Sequence, residues 1–223
     1  MLLHDLRAEV AAANQRLETS GLVRWTSGNA SARDPDTGYI AIKPSGVLFN
    51  ELTPEKIVIL DAKGAVVEGD LRPSVDSASH LYVYAACPEI GGIVHTHSRF
   101  ATAFAVAGRP VPVTTTTHAC ILGGEVVCSG LAAIGEDAIG AQIVKYAPHG
   151  PAVLLRQHGV FTMGKSVDEA FKFAIYVEES AEASFLAETL AGQTPEQLSR
   201  DFIAECRRMY LEDYGQKPGK AES

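Results

Sequence analysis

The chain has 223 residues, 46% hydrophobic and 21% charged, with a formal net charge of −8. This suits a globular domain with a sizeable core, and the acidity argues against a nucleic-acid partner, which needs a basic stripe. No apolar run approaches the ~20 residues that span a bilayer, so no membrane partner is expected. The four cysteines, none at C-x-x-C spacing, read as free thiols. The polar residues His4, Asp5, Arg7 and Glu9 do not make a signal peptide, and the expectation is a cytoplasmic protein.

In chain order, Leu3, Leu6, Val10, Ala13 and Leu17 step by three and four, which predicts an amphipathic helix over 3–19 closed by Gly21. Short strands are expected at Asn29–Ala32, Tyr39–Lys43, Ile57–Leu60 and Ala65–Glu68, separated by turn sequences such as Asp34-Pro35-Asp36 and Pro44-Ser45-Gly46. A helix is expected from Ser74 or Asp76 to the stop at Pro88, then a strand over 92–97. A helix over 99–107 ending at Gly108 and a strand at Val111–Thr116 follow. Glu136–Tyr146 reads as a helix, and Ala152–Leu155 and Val160–Met163 as strands. Ser166-Val167-Asp168-Glu169 is a capping box opening a long helix to about Leu190. Thr194-Pro195-Glu196-Gln197 reads as the start of the last helix, with proline at its first position. The expected fold is α/β, a three-layer α/β/α sandwich around a mostly antiparallel sheet. It forms a single domain over 1–216, followed by a flexible tail over 217–223.

The richest chemistry lies at His95-Thr96-His97, which ends the run Ile93-Val94. Alternate residues of a strand share a face, with α-carbons about 6–7 Å apart, so both imidazoles can converge on one ion. His158, between Gln157 and Gly159 at the end of another apolar run, supplies a third. Three neutral imidazoles with an open fourth position are the pattern of a catalytic zinc site; manganese and iron also accept imidazole ligands. His80 and His118 read as supporting or substrate-facing groups. Three small-residue segments, Ser27-Gly28-Asn29-Ala30-Ser31, Lys43-Pro44-Ser45-Gly46 and the helix start at Ser74, combine backbone freedom with donors that can cradle a phosphate. Asp76 suits either a helix cap or a proton carrier beside the metal. Cys120 reads as packing, and Tyr214 as a surface aromatic near the chain end.

Gly28-Asn29-Ala30-Ser31, Lys43-Pro44-Ser45-Gly46, Pro73-Ser74-Val75-Asp76, Gly91-Gly92-Ile93-Val94-His95-Thr96-His97-Ser98 and Gln157-His158-Gly159 occur in one order. Together they resemble the class II aldolase/adducin-head family, which includes L-fuculose-1-phosphate aldolase and L-ribulose-5-phosphate 4-epimerase. The similarity runs from about residue 3 to 216. It implies an α/β/α fold and a homotetramer with active sites at subunit interfaces. It implies one zinc per subunit on His95, His97 and His158, and a phosphate held by Gly28, Asn29, Lys43, Ser45, Gly46 and Ser74. Asp76 falls where the aldolases have a glutamate acid/base and the epimerase an aspartate. Tyr214-Gly215-Gln216 resembles the epimerase's C-terminal Tyr-Gly-Gln, whose tyrosine is catalytic across the subunit boundary.

Three departures shape the functional expectation. Cys120, in Thr117-His118-Ala119-Cys120, stands where the epimerase has a catalytic aspartate, and a thiol is a weak hydrogen bonder. Thr117 stands where the aldolase has an active-site tyrosine, and Val75 where a second serine is expected. The missing aspartate favours a zinc-dependent lyase that cleaves a phosphorylated ketose to an aldehyde and dihydroxyacetone phosphate or a similar pair, with 4-epimerisation as the alternative. A non-enzymatic interaction module of the adducin-head kind is expected to lack the metal histidines, and all three are present here.

Overall fold

Seven short strands, each alternating its side chains between two faces, set the architecture. The computed structural model describes residues 1–133 and 137–215. The strands are β1 (Asn29–Arg33), β2 (Ile40–Ile42), β3 (Val58–Leu60), β4 (Val66–Glu68), β5 (Gly92–Thr96), β6 (Ala152–Leu155) and β7 (Gly159–Gly164). They form one sheet in the order β4-β3-β2-β1-β5-β7-β6, and every neighbouring pair is antiparallel. The helices are α1 (His4–Thr19), α2 (Ser77–Ala86), α3 (Arg99–Ala107), α4 (Thr116–Ile121), α5 (Asp137–Tyr146), α6 (Val167–Ala191) and α7 (Arg200–Asp213).

The period of two along each strand sorts the core into two layers. On one face Ile93, Val153, Phe161 and Met163 meet Val83 and Tyr84 of α2 and Ile139 and Ile143 of α5. On the other face Ala30, Ala41, Ile59 and Val94 meet α1 and the first turns of α6 through Val10, Leu17, Val167 and Ala170. Farther along that face, Ala152, Leu154 and Val160 meet α3 and the middle of α6. The result is the helix–sheet–helix sandwich expected from the sequence. Among the described residues no helix is long and apolar enough to cross a membrane, and all four cysteines are free thiols.

Side chains lock the elements together. Arg7 of α1 is buried; its Nε donates to the Leu2 carbonyl at 2.9 Å, and its guanidinium also donates to the Ile57 carbonyl and to Glu68 Oε1, the last at 3.0 Å. One cation thereby ties α1 to the start of β3 and to β4. At the start of α6, Ser166 Oγ accepts from the Glu169 N–H at 3.2 Å. The returning carboxylate of Glu169 accepts from the Lys165 N–H at 2.8 Å, one residue earlier than in a standard capping box.

Two expected elements differ. Val111–Thr116 is not a strand. Val111 alone pairs, with Val126, and Thr115 caps α4 by accepting from the His118 N–H at 3.2 Å. Pro110 and Pro112 flank Val111 and cannot donate to a ladder, so the β-branched run never acquires a partner. The last helix begins at Arg200, not at Thr194. Ser199 is its cap, accepting from the Phe202 N–H at 3.3 Å. Just before it, Leu198 N–H is committed to the Val113 carbonyl at 2.9 Å, which holds the chain out of the helix. Glu136, Gln216 and the tail over 217–223 lie outside the described residues.

Candidate metal centre

The site lies at the centre of the sheet. The register sets Asn29 of β1 opposite His95 of β5, and His95 opposite Phe161 of β7. His95 shares its face with Ile93, towards α2, and stacks on Phe161 with ring centroids 4.4 Å apart. β5 ends at Thr96, and His97 follows where the chain leaves the ladder. The third imidazole comes from the turn between β6 and β7. There Gln157 holds φ at 57°, an unfavourable value for a residue with a side chain. Gly159, just after His158, packs so closely that a Cβ would lie 2.5 Å from the Thr96 carbonyl and 3.2 Å from the His95 ring. Only glycine lets this turn press His158 against the other two rings.

The ligand atoms of His95, His97 and His158 all lie within 4.8 Å of one another. His95 Nδ1 lies 2.9 Å from the Val160 carbonyl, so it carries the proton and donates, leaving the Nε2 lone pair free. That Nε2 faces His97 Nε2 at 3.0 Å. Two nitrogens bound at 2.0–2.1 Å to one tetrahedral zinc lie about 3.3 Å apart, so the donor set fits a divalent metal. Burial keeps the rings neutral and thus able to ligate. It pushes His95 down to about 3, with Asp76 opposing and the neighbouring imidazoles reinforcing the shift. His97 and His158 are lowered by burial too.

The three rings line a cavity of about 350 Å³ together with Gly28, Asn29, Lys43, Ser45, Gly46, Ser74 and Asp76. The two loops and the start of α2 meet there because Pro44 bridges to Pro73, and Ser74 N–H donates to the Lys43 carbonyl at 3.0 Å. Gly28 has φ +83°, and a Cβ there would meet Val23 at 2.6 Å and the His95 carbonyl at 2.8 Å. Lys43 Nζ is buried, lies 4.8 Å from the Phe49 ring centre and donates to the Pro44 carbonyl at 3.3 Å. Desolvation lowers its pKa to about 8, against the pull of Asp76.

Asp76 occupies the cap position of α2, yet its side chain makes no capping bond. Its Oδ2 instead accepts from Asn29 Nδ2 at 2.6 Å, and the same amide donates to Ser74 Oγ at 3.1 Å. Burial raises the Asp76 pKa, but His95 and His80, which take on charge only in the acid range where Asp76 itself titrates, and the Asn29 bond together outweigh it and leave it lowered. A carboxylate beside the imidazoles is therefore ionised at neutral pH.

Other expected residues stand apart. Tyr214 does not line the cavity of its own chain; it is 74% exposed and stacks on Tyr210 at 4.8 Å. His118 is buried, and its Nε2 meets the Gly124 carbonyl at 2.8 Å, so within the chain it supports the α4 turn and does not face the cavity. Cys120 packs beside Cys206, and burial raises its thiol pKa. His80 is fully buried behind Asp76 on α2. Sequence reasoning passed over Thr26, which lines the cavity, and its neighbour Trp25, which is 75% exposed with φ at 58°. Their one signal was position, immediately before the Ser27-Gly28-Asn29 loop.

The wider comparisons agree with this geometry. L-fuculose 1-phosphate aldolase superposes with a TM-score of 0.87 at 28% identity, covering 93% of this chain and 96% of that one. The enzyme of that name from Thermus thermophilus gives 0.75 at 27% identity, covering 86% and 98%. YgbL from Escherichia coli, described as a putative aldolase/epimerase/decarboxylase, gives 0.80 at 27%, covering 92% and 98%. Residues 8–185 match the family model for the class II aldolase and adducin N-terminal domain. With three converging imidazoles in such a sandwich, the chain belongs to the class II aldolase and adducin N-terminal domain family.

Proposed function

We propose that the protein is a zinc-dependent aldehyde-lyase that cleaves a phosphorylated ketose to an aldehyde and dihydroxyacetone phosphate or a similar pair. The observation that carries this reading is the meeting of three neutral imidazoles, one ionised carboxylate and one buried ammonium around a single cavity. When bound by His95, His97 and His158, the zinc ion supplies Lewis-acid polarisation of a carbonyl oxygen. Lys43, with the hydroxyls of Ser45 and Ser74, the Asn29 amide and the backbone at Gly28 and Gly46, binds the phosphate and fixes the sugar's position. Asp76, held by Asn29, carries the proton at the carbon beside the carbonyl. Tyr214 reaches the aldehyde oxygen from a neighbouring subunit of a homotetramer, which accords with its exposure in the single chain.

A second reading, 4-epimerisation of a ketose 5-phosphate, is favoured by one specific feature, the Tyr214-Gly215-Gln216 sequence. It requires a proton carrier on each face of the carbonyl. Cys120, turned towards Cys206 with its thiol pKa raised, does not supply the second.

The test is a panel of phosphorylated ketoses with coupled detection of dihydroxyacetone phosphate, run beside metal analysis. Fragment formation that a chelator abolishes and added zinc restores is the expected outcome. Clean 4-epimer formation without fragments would transfer the assignment to the epimerase, and a native protein free of metal would point to an interaction module.

A further inference from the structure

Behind the cavity, β1 and α2 are joined by two parallel side-chain rungs. Asn29 and Ser31 share one face of β1, and Asp76 and His80 lie one turn apart on α2, with the His80 N–H donating to the Asp76 carbonyl at 3.1 Å. The outer rung is Asn29 Nδ2 to Asp76 Oδ2 at 2.6 Å. The inner rung is Ser31 Oγ to His80 Nδ1 at 2.7 Å. Ser31 Oγ also meets the Tyr84 hydroxyl at 2.8 Å.

The inner rung admits two directions. Burial raises the pKa of the Tyr84 phenol, so the phenol keeps its proton; either hydroxyl can donate across the 2.8 Å contact, and in one arrangement Tyr84 donates to Ser31. Ser31 then has its own proton to give to His80 Nδ1. Burial pushes His80 down to about 4, so the ring is neutral and holds one proton. With Nδ1 accepting, that proton sits on Nε2. His80 Nε2 and Asn29 Oδ1 are both buried without a hydrogen-bond partner among the described residues. A buried donor and a buried acceptor left over from adjacent rungs call for an explanation.

We propose that His80 is a positioning residue for Asp76: the buried Tyr84–Ser31 chain fixes its proton on Nε2, and that N–H, through one bridging water, holds the Asn29–Asp76 pair in a single orientation. The ring has no route to substrate, because it is fully buried and does not line the cavity. Its edge-on contact with Phe161, 5.4 Å between centroids, fixes its plane. The role rests on the reading of Asp76 as the proton carrier.

The experiment uses full-length metal-loaded protein. In protein labelled with 15N-histidine, solid-state NMR reads the His80 ring, assigned by its loss in His80→Asn. The expected spectrum is a neutral ring with Nε2 protonated and Nδ1 bare, and Ser31→Ala loses that fixed tautomer. A ring protonated at Nδ1 overturns the proposal. In kinetics, His80→Asn keeps a polar group near Ser31 but none at the ε position. Its kcat falls on the order of 10- to 100-fold, the scale of losses from groups that orient a site, with KM and Tm near the parent values. His80→Gln, which returns an amide N–H near the ε position, recovers most of the loss. Equal kcat in His80→Asn and the parent also overturns the proposal, as does a kcat loss that tracks Tm in both variants. The tautomer is read without substrate, so an error in the substrate class leaves that result standing.

Discussion

Lys43 shows how one residue's surroundings set a measurable property of the site. Its ammonium lies between backbone carbonyls and the Phe49 ring, where desolvation brings its pKa from 10.5 to about 8. The protonated form binds an anion and the neutral form does not. The population able to bind is therefore full below the folded pKa and falls as pH rises through it. KM for a phosphorylated substrate is expected to climb above about pH 8, approaching tenfold per pH unit, while kcat stays level. A pH profile of KM that is flat to pH 9.5, or one unchanged by Lys43→Arg, would sink this assignment. Most of the cavity was legible as residue types, because imidazoles two apart on a strand, a lysine in a glycine-containing turn and an acid at a helix start each have few structural uses. The role of Asp76 was not. A cap and a site carboxylate share the same sequence position, and only the turn of its side chain to Asn29 shows that it makes no capping bond.

At the scale of elements, local patterns succeeded where a segment supplies its own reasons and failed where prolines or another segment intervene. The apolar stripe of α1, the Ser166 cap and the alternation of β5 and β7 are self-contained. The stretch at 111–116 has strand-like residues but finds no ladder, and the one at 194–199 has a helix-start sequence but is held extended by Val113. The prolines beside Val111 decide the first locally, and a tertiary hydrogen bond from Leu198 to Val113, which nothing local announces, decides the second. The buried Arg7 belongs to this level, since it joins α1 to two strands. Arg7→Met strips the Ile57 carbonyl and Glu68 of their donor. Removing one side of such a buried polar linkage costs about 3 kcal/mol, and urea unfolding should show that loss with the m-value unchanged. A loss under 1 kcal/mol would mean that water serves those acceptors equally well.

For the whole molecule, a single chain assembles every expected cavity group except Tyr214. A tyrosine acting in trans makes a specific demand on mixtures. His95→Ala and Tyr214→Phe subunits, each inactive alone, should regain activity after being dissociated and reassembled together. Random mixing of a ring of subunits rebuilds about a quarter of the sites. No recovery, in hybrids verified by mass, would confine each site to one chain or remove Tyr214 from the chemistry. The candidate metal cluster needs no dedicated domain, since its three imidazoles come from β5, the residue just beyond its end and the turn between β6 and β7. Trp25 has a practical consequence of its own. It is the single tryptophan of the chain, solvent-exposed and adjacent to a cavity-lining threonine. All indole emission therefore comes from one position, next in sequence to the site's wall, and a change in that emission on titrating unlabelled protein with ligand is the expected sign of binding.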